Sequence, residues 1–364
     1  MQIETKKVVE ALAKVMDPNT GQDLITMNMV RDLSVEENQV SFTLELPSLN
    51  SQYKQDLNFA CMQAIQDIYP SANVNVHMMS KGGTAQAAPQ NPFSHIKNII
   101  AVASGKGGVG KSTISVNLAL GLKEMGASVG LIDADLYGPS IPTMLNLQGK
   151  RPKVQTLYEQ PKLTPLEAYG IHVMSIGFII EPEQAVVLRG PRLSGIIKQF
   201  FNDTIWPPLD YLIVDLPPGT GDIQLSLVQT VPVTGTLIVT TPQEVAVVDA
   251  VKAANMFLLP SVNVPILGVV ENMAWFTPEE LPNHKYYIFG QGGGQEMAKK
   301  TQSTLLGQIP LVQGIREGGD QGKPIITDMD HPARLPFLEM TKNTIQQIQL
   351  RNQDQAPTQK VNVQ

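Results

Sequence analysis

Residues 105–113 read GKGGVGKST, and the reading of these nine residues decides the fold. They fit G-x-x-x-x-G-K-[ST] and stand between an apolar strand-like run, NIIAVAS at 98–104, and a helical stretch, the context in which that motif binds phosphate. Gly105, Gly107, Gly108 and Gly110 let the backbone curl, so that N–H groups from Gly105 to Thr113, Lys106 and Val109 included, face one anion. Inward N–H groups at a helix N-terminus suit a triphosphate. Lys111 is expected to neutralise β- and γ-phosphate oxygens, and Ser112 to offer its hydroxyl to Mg²⁺. ATP and Mg²⁺ are the expected cofactors; the alternative is a glycine-rich turn that holds nothing.

Working outward, short apolar runs alternate with helical stretches. ASVGLID, YLIVDLP, GTLIVTT and PILGVVEN join NIIAVAS as buried parallel strands in style. The expected fold is α/β, a P-loop NTPase with a mostly parallel sheet flanked by helices. Carboxylates fall at the strand ends, where open α/β sheets bind ligands: Asp133 and Asp135 in LIDADLYGPSIPTML, and Asp215 after YLIV. Asp215 is expected to hold a Mg²⁺-bound water. Pro217, Pro218 and Gly219 shape a loop able to sense the γ-phosphate, and Asp222 is a candidate cap for the next helix. The Asn272 amide, after PILGVVE, can both donate to and accept from an adenine edge, and Pro310 is a candidate second wall for the base.

One lysine exceeds what a phosphate cradle needs. With Lys106 the loop reads K-G-G-x-G-K, and it resembles the deviant Walker A motif of the ParA, MinD and nitrogenase-iron-protein superfamily. That resemblance implies that Lys106 reaches across a homodimer to the partner's γ-phosphate, as an arginine finger does. It also implies that Asp135 orients or activates the attacking water, with Asp133 at Mg²⁺ or its waters. The superfamily places an asparagine where Asn272 stands.

The chain has 364 residues, 42% hydrophobic and 16% charged, an ordinary globular balance. A net charge of −6 disfavours a broad nucleic-acid surface. No apolar run approaches the roughly 18 residues of a membrane span. The polar start MQIETKKVVEALAKVMD is unlike a secretory signal, so a cytoplasmic location is expected. Residues 1–79 are expected to form a small α+β unit, with helices over KKVVEALAKVMD and KQDLNFACMQAIQDIY and strands over VSFTLELP and NVNVHM. Residues 80–94 read as a flexible linker, 95–350 as the ATPase domain and 351–364 as a disordered tail.

The longer motifs resemble one family within the superfamily. RGPRLSGIIKQFFNDTIWPPLDYLIVDLPPGTGDIQL, DADLYGPSIPTML, FGQGGGQEMAKK and LLGQIPLVQGIREGGDQGKPI look like the Mrp/ApbC group of iron–sulfur cluster carrier ATPases, over roughly 95–345. VMDPNTGQDLITMNMVRDL resembles the opening of the small MIP18-like domain of iron–sulfur assembly factors. The resemblance implies a homodimeric ATPase that binds a [4Fe–4S] cluster and delivers it to apo iron–sulfur client proteins or works with assembly factors.

The chain departs from that family at one place. The family carries C-x-x-C between its E-N-M strand end and F-G-x-G-G, so that two subunits offer four thiolates. Here that interval reads AWFTPEELPNHKYYI. The single cysteine, Cys61, lies on a helical apolar stripe with Leu57, Ala64, Ile65 and Ile68, which reads as core. It excludes an intrachain disulfide, and it gives a dimer only two thiolates. Glu279, Glu280 and His284 are poor matches to a cluster that prefers thiolate. TPEEL reads as a helix start capped by Thr277, and Trp275, Phe276, Tyr286, Tyr287 and Phe289 as packing for the segment. His77, His95, His172 and His331 show no ligand spacing. The cluster ligands are therefore not evident. A cluster carrier with unusual ligands or a cysteine-bearing partner stands beside a cluster-free, nucleotide-switched dimeric protein-binding ATPase. A ParA/MinD-type positioning ATPase is the weakest alternative, since the tail lacks a basic amphipathic helix.

Overall fold

The computed structural model describes residues 3–18, 20–36, 39–46, 51–70, 72–80, 93, 95–136, 138–157, 160–179, 190–221, 224–225, 228, 230–278, 280–281 and 283–355. The linker expected at 80–94 falls almost wholly outside them, as do Asp222, Glu279 and residues 356–364. The chain divides into two compact units, Met1–Asn91 with Val154–Lys162, and Pro92–Lys153 with Leu163–Gln364.

In the first unit, helix α1 (Thr5–Leu12) and helix α2 (Ser51–Gln66) accompany strands β1 (Val30–Glu36), β2 (Gln39–Leu46) and β3 (Asn73–Ser80). The sheet order is β1-β2-β3, with β1 antiparallel and β3 parallel to β2. The alternation in β2 buries Val40, Phe42, Leu44 and Leu46, as their period of two demands. β1 carries no such clean signal. Its register shifts between Arg31 and Ser34, and Asp32 takes a left-handed φ of 49°. A bulge breaks alternation and hides a strand from pattern reading.

The second unit is built on an eight-stranded sheet. Its strands are β4 (Ile96–Ser104), β5 (Val129–Asp133), β8 (Leu166–Ala168), β9 (Ile171–Ser175), β10 (Leu209–Asp215), β11 (Gly235–Thr240), β12 (Ile266–Glu271) and β13 (Leu305–Gln308). A separate two-stranded ribbon, made by β6 (Lys153–Leu157) and β7 (Gln160–Thr164), falls mostly in the Val154–Lys162 stretch of the first unit. The order of the large sheet is β13-β12-β11-β4-β10-β5-β9-β8. Every pairing is parallel except that of β8 with β9. Alternate residues of β4 feed two cores: Ile99, Ala101 and Ala103 on one face, Ile100 and Val102 on the other. The first face packs Val247, Ala250, Ala254 and Phe257 of helix α6 (Glu244–Leu258). The second packs helix α3 (Lys111–Glu124) through Ile114, Leu118 and Leu122, and helix α9 (Arg334–Asp354) through Phe337 and Met340. The P-loop α/β fold expected from the sequence is borne out.

The last helix runs to Asp354, four residues into the stretch expected to be disordered. The side chain of Asn352 supplies the reason: its amide donates to Asn98 Oδ1 at 2.8 Å and ties the helix end to β4. No helix among the described residues is long and apolar enough to cross a membrane.

Candidate nucleotide site

Strand β4 ends at Ser104 in the middle of the sheet, and the chain turns through the glycine loop into α3. Gly105 has no room for a side chain. A Cβ there would fall 2.1 Å from the Asp249 carbonyl carbon, because α6 packs directly on the start of the loop. Gly110 takes φ +82°, and a Cβ would stand 2.1 Å from Asn272 Nδ2. Only glycine satisfies either position without displacing its neighbours.

The parallel register sets the acids side by side. Asp215 pairs with Asp133 on adjacent strand ends. Lys111 Nζ donates to Asp215 Oδ2 at 2.7 Å, and Ser112 Oγ to the same oxygen at 2.6 Å. Lys111 also stands 3.8 Å from Asp135 Oδ2. Lys111 and Asp215 are both buried, so the pair is held in low dielectric rather than screened by water. Asp133 is buried too; its carboxylate accepts from the Asp135 N–H at 3.1 Å and from Ser175 Oγ at 3.0 Å. Burial first, then the charge of Asp215 beside it, raise the Asp133 carboxyl well above the usual carboxylate range.

Two cavities meet at α3. One of about 240 Å³ is lined by residues 106–113 with Ser104, Asp135, Gly138, Ser140, Met144 and Pro218. The other, of about 470 Å³, is lined by Asn272, Met273, Pro310, Leu311, Val312 and Ile315, with Thr143, Met144, Arg316 and Asp320 among the rest. Gly110, Thr113, Ser140 and Met144 line both, so the pocket at the helix N-terminus adjoins a larger one with a more apolar lining. Phosphates match the first and a base with its sugar the second. Asn272 donates from Nδ2 to the Val109 carbonyl at 2.8 Å, spending one amide hydrogen on the phosphate loop itself.

The structure thus brings together Lys106, Lys111, Ser112, Asp135, Asp215, Asn272 and Pro310. Asp133 stands behind them, and neither it nor Asp215, which is equally buried, lines either cavity. Sequence reading missed Ser115, Ser175, Thr143, Met144, Arg316 and Asp320. Ser115 was within reach, since it lies three residues after Ser112 and four after Lys111, on the same helix face. The others are assembled by tertiary folding from separate elements.

Mg²⁺ fits this donor set. It takes one or two carboxylates alongside phosphate and water, and Asp215 with Ser112 offers a carboxylate and a hydroxyl 2.6 Å apart. A thiolate-held cluster does not fit. Among the described residues no group of three or more His, Cys, Asp and Glu side chains is placed to hold a metal ion. Cys61 is 0% exposed in the core of the first unit, and burial pushes its thiol up to about 12.

The segment after Asn272 departs from expectation in another way. Phe276 and Tyr286 exchange backbone hydrogen bonds of 2.8 and 2.9 Å, an antiparallel bridge. None of the described residues of TPEEL is helical; the Leu281 N–H donates to the Pro278 carbonyl at 3.1 Å in a turn, and Glu279 lies outside the described residues. Trp275, Phe276 and Phe289 are half-buried, but Tyr286, Tyr287 and Ile288 face solvent, Ile288 being 60% exposed. Lys285 Nζ sits 3.8 Å over the Trp275 ring.

A family model described as NUBPL iron-transfer P-loop NTPase matches residues 95–346, and one described as iron-sulfur cluster assembly protein matches residues 5–77. The chain belongs to the NUBPL iron-transfer P-loop NTPases. An iron-sulfur cluster carrier protein of Synechocystis sp. is 44% identical to it over 91% of this chain and 94% of that protein. The protein of the same name from Escherichia coli K12 is 40% identical over 88% and 85%. Among solved structures, a nucleotide-binding protein from Archaeoglobus fulgidus in complex with ADP is 35% identical, with a TM-score of 0.58 over 68% of this chain and 94% of that one. The septum site-determining protein MinD from Pyrococcus horikoshii, complexed with Mg-ADP, is 20% identical with a TM-score of 0.51 over 70% and 98%, a likeness of fold. The family resemblance read from the motifs is borne out.

Proposed function

We propose that this chain is a nucleotide-switched ATPase, acting as a homodimer, that serves the delivery of iron–sulfur clusters to apo-proteins. The observation that carries the reading is the corner where Lys111 and Ser112 meet Asp215 within 2.7 Å, beside two contiguous cavities. Lys111 takes β- and γ-phosphate oxygens of ATP, and the loop N–H groups from Gly105 to Thr113 take the rest. Ser112 and Asp215 would hold Mg²⁺, which would neutralise phosphate charge. Asp135, which lines the phosphate cavity, orients the attacking water. Asp133 acts behind it, since one of its oxygens holds the Asp135 N–H. Asn272 and Pro310 flank the base. Lys106 reaches the partner's γ-phosphate.

The cluster is cargo. Cys61 lies in the core of the first unit, and the interval 272–289 holds no cysteine. The thiolates for the cluster are therefore assigned to a partner, an assembly factor or the client itself. Anaerobic reconstitution with iron and sulfide, on wild type and Cys61→Ala, tests this. The purified chain is expected to keep no stable cluster until a cysteine-bearing partner is added. A stable cluster on wild type that disappears in the variant would make Cys61 a ligand and overturn the assignment. A second reading, a cluster-free client-binding switch, is supported by the exposed Tyr286, Tyr287 and Ile288 in the interval where the family carries its cysteines. ATP-dependent client capture that is indifferent to iron would favour it.

A further inference from the structure

Helix α3 sends a third side chain to Asp215. The hydroxyl of Ser115 is fully buried and donates to Asp215 Oδ1 at 2.6 Å. Lys111 and Ser112 both meet the other oxygen, Oδ2. Ser115 Oγ also lies 3.1 Å from the Lys111 carbonyl. A hydroxyl has one proton, and the shorter bond to a charged acceptor is the stronger.

The two oxygens of Asp215 are thus served by groups of different kinds. Lys111 and Ser112 line the phosphate cavity, and each has a second calling there, phosphate for one and Mg²⁺ for the other. Ser115 lines neither cavity. A carboxylate at a strand end turns easily about χ2, a broad two-fold torsion. When Lys111 is shared with a nucleotide, the bond on the far oxygen is what keeps Oδ2 aimed at Ser112.

We propose that Ser115 is a positioning residue that fixes the carboxylate plane of Asp215 for metal-dependent nucleotide binding. The proposal rests on the reading of this corner as a Mg-nucleotide site and adds a residue to it that touches neither ligand.

The test is a Mg²⁺ titration of nucleotide affinity, read with a fluorescent ATP analogue, together with hydrolysis, on the full chain carrying Ser115→Ala or Ser115→Cys. Loss of one hydrogen bond to a charged group sets the expected scale at about tenfold. Ser115→Ala should need about tenfold more Mg²⁺ for half-maximal gain in affinity and for half-maximal hydrolysis, while affinity without Mg²⁺ stays within about twofold. Ser115→Cys, which fills the space and keeps a weak donor, should fall between wild type and alanine. A Mg²⁺ dependence in both variants equal to that of wild type overturns the proposal. So does an equal loss of affinity with and without Mg²⁺, which would make the serine a packing residue. If wild type itself shows no Mg²⁺-dependent nucleotide affinity, the reading of the corner fails first and this proposal with it.

Discussion

The phosphate corner and the segment 273–289 meet at Asn272, and they are built in opposite ways. In the corner the buried polar side chains meet partners from other elements. Lys111 and Ser112 meet Asp215, Ser175 meets Asp133, and Asn272 meets Val109. In the segment Tyr286, Tyr287 and Ile288 face solvent, and the chain is held by the Phe276–Tyr286 bridge, the bonds from Ala274 to Ile309 and from Leu311 to Trp275, and one cation–π contact. The corner is specified by the chain itself. The segment presents exposed aromatic and aliphatic side chains instead.

The largest effect that sharpens this contrast is Lys111→Ala. It removes the phosphate-binding charge and leaves Asp215 buried without its cation, a loss on the order of 3–5 kcal/mol in stability. Nucleotide binding by calorimetry should fall by ~100-fold or more, since hydrogen bonds to charged groups are each worth about 1.5–3 kcal/mol. Lys106→Ala should spare binding more than hydrolysis. Equal losses in both would break the assignment of Lys106 to the partner's nucleotide.

Gly110→Ala comes next. Its Cβ would displace the Asn272 amide that holds Val109, at a backbone angle alanine adopts poorly. A strained φ costs about 1–3 kcal/mol, so urea unfolding should shift by about that much and nucleotide affinity should fall about tenfold. A tolerated alanine would show that the lock between corner and segment is dispensable.

Much of the corner was legible because its chemistry is fixed by local spacing. A glycine loop between a strand and a helix, with acids at strand ends, leaves few other places for Lys111, Ser112 and Asp215 to meet. The five parallel strands read from apolar runs are all present. The short edge strands β8 and β13, the internal strand β9 and the bulged β1 were missed: β8 and β13 are brief, His172 interrupts the apolar run of β9, and β1 has lost its alternation. Ser175 and the cavity wall of Thr143, Met144 and Arg316 depend on long-range packing, which spacing does not reveal. The segment was misread for a related reason. TPEEL has the local chemistry of a helix start, but the pairing of Phe276 with Tyr286 overrides it.

The segment offers the complementary test. Tyr286→Ala and Ile288→Ser remove exposed side chains and should change stability by no more than about 0.5 kcal/mol. Nucleotide affinity should not move. A fall in affinity would show that the segment is coupled to the corner more tightly than its exposure suggests. Cys61 provides a control within the first unit: its thiol should resist a thiol reagent at neutral pH until the chain is unfolded, because burial raises it to about 12.

The smallest effect concerns the far end of the same sheet. Asp210 accepts from Lys97 Nζ at 2.7 Å and from Ser128 at 2.8 and 2.9 Å, and these partners, Lys97 first, hold its carboxyl down at about 2 against an ordinary 3.8. A carboxyl lowered in the folded state stabilises fully above its unfolded value and loses that contribution as pH falls through the folded one. The window is therefore between about pH 4 and pH 2. The group lies near the surface, where solvent limits such a pair to about 1 kcal/mol or less. Asp210→Asn should lower stability slightly at pH 7 and flatten the acid limb of the stability curve across that window. An unchanged acid limb would mean that the Ser128 bonds, which bridge β10 to the start of β5, survive protonation. The neutral amide would then serve the sheet as well as the charge does.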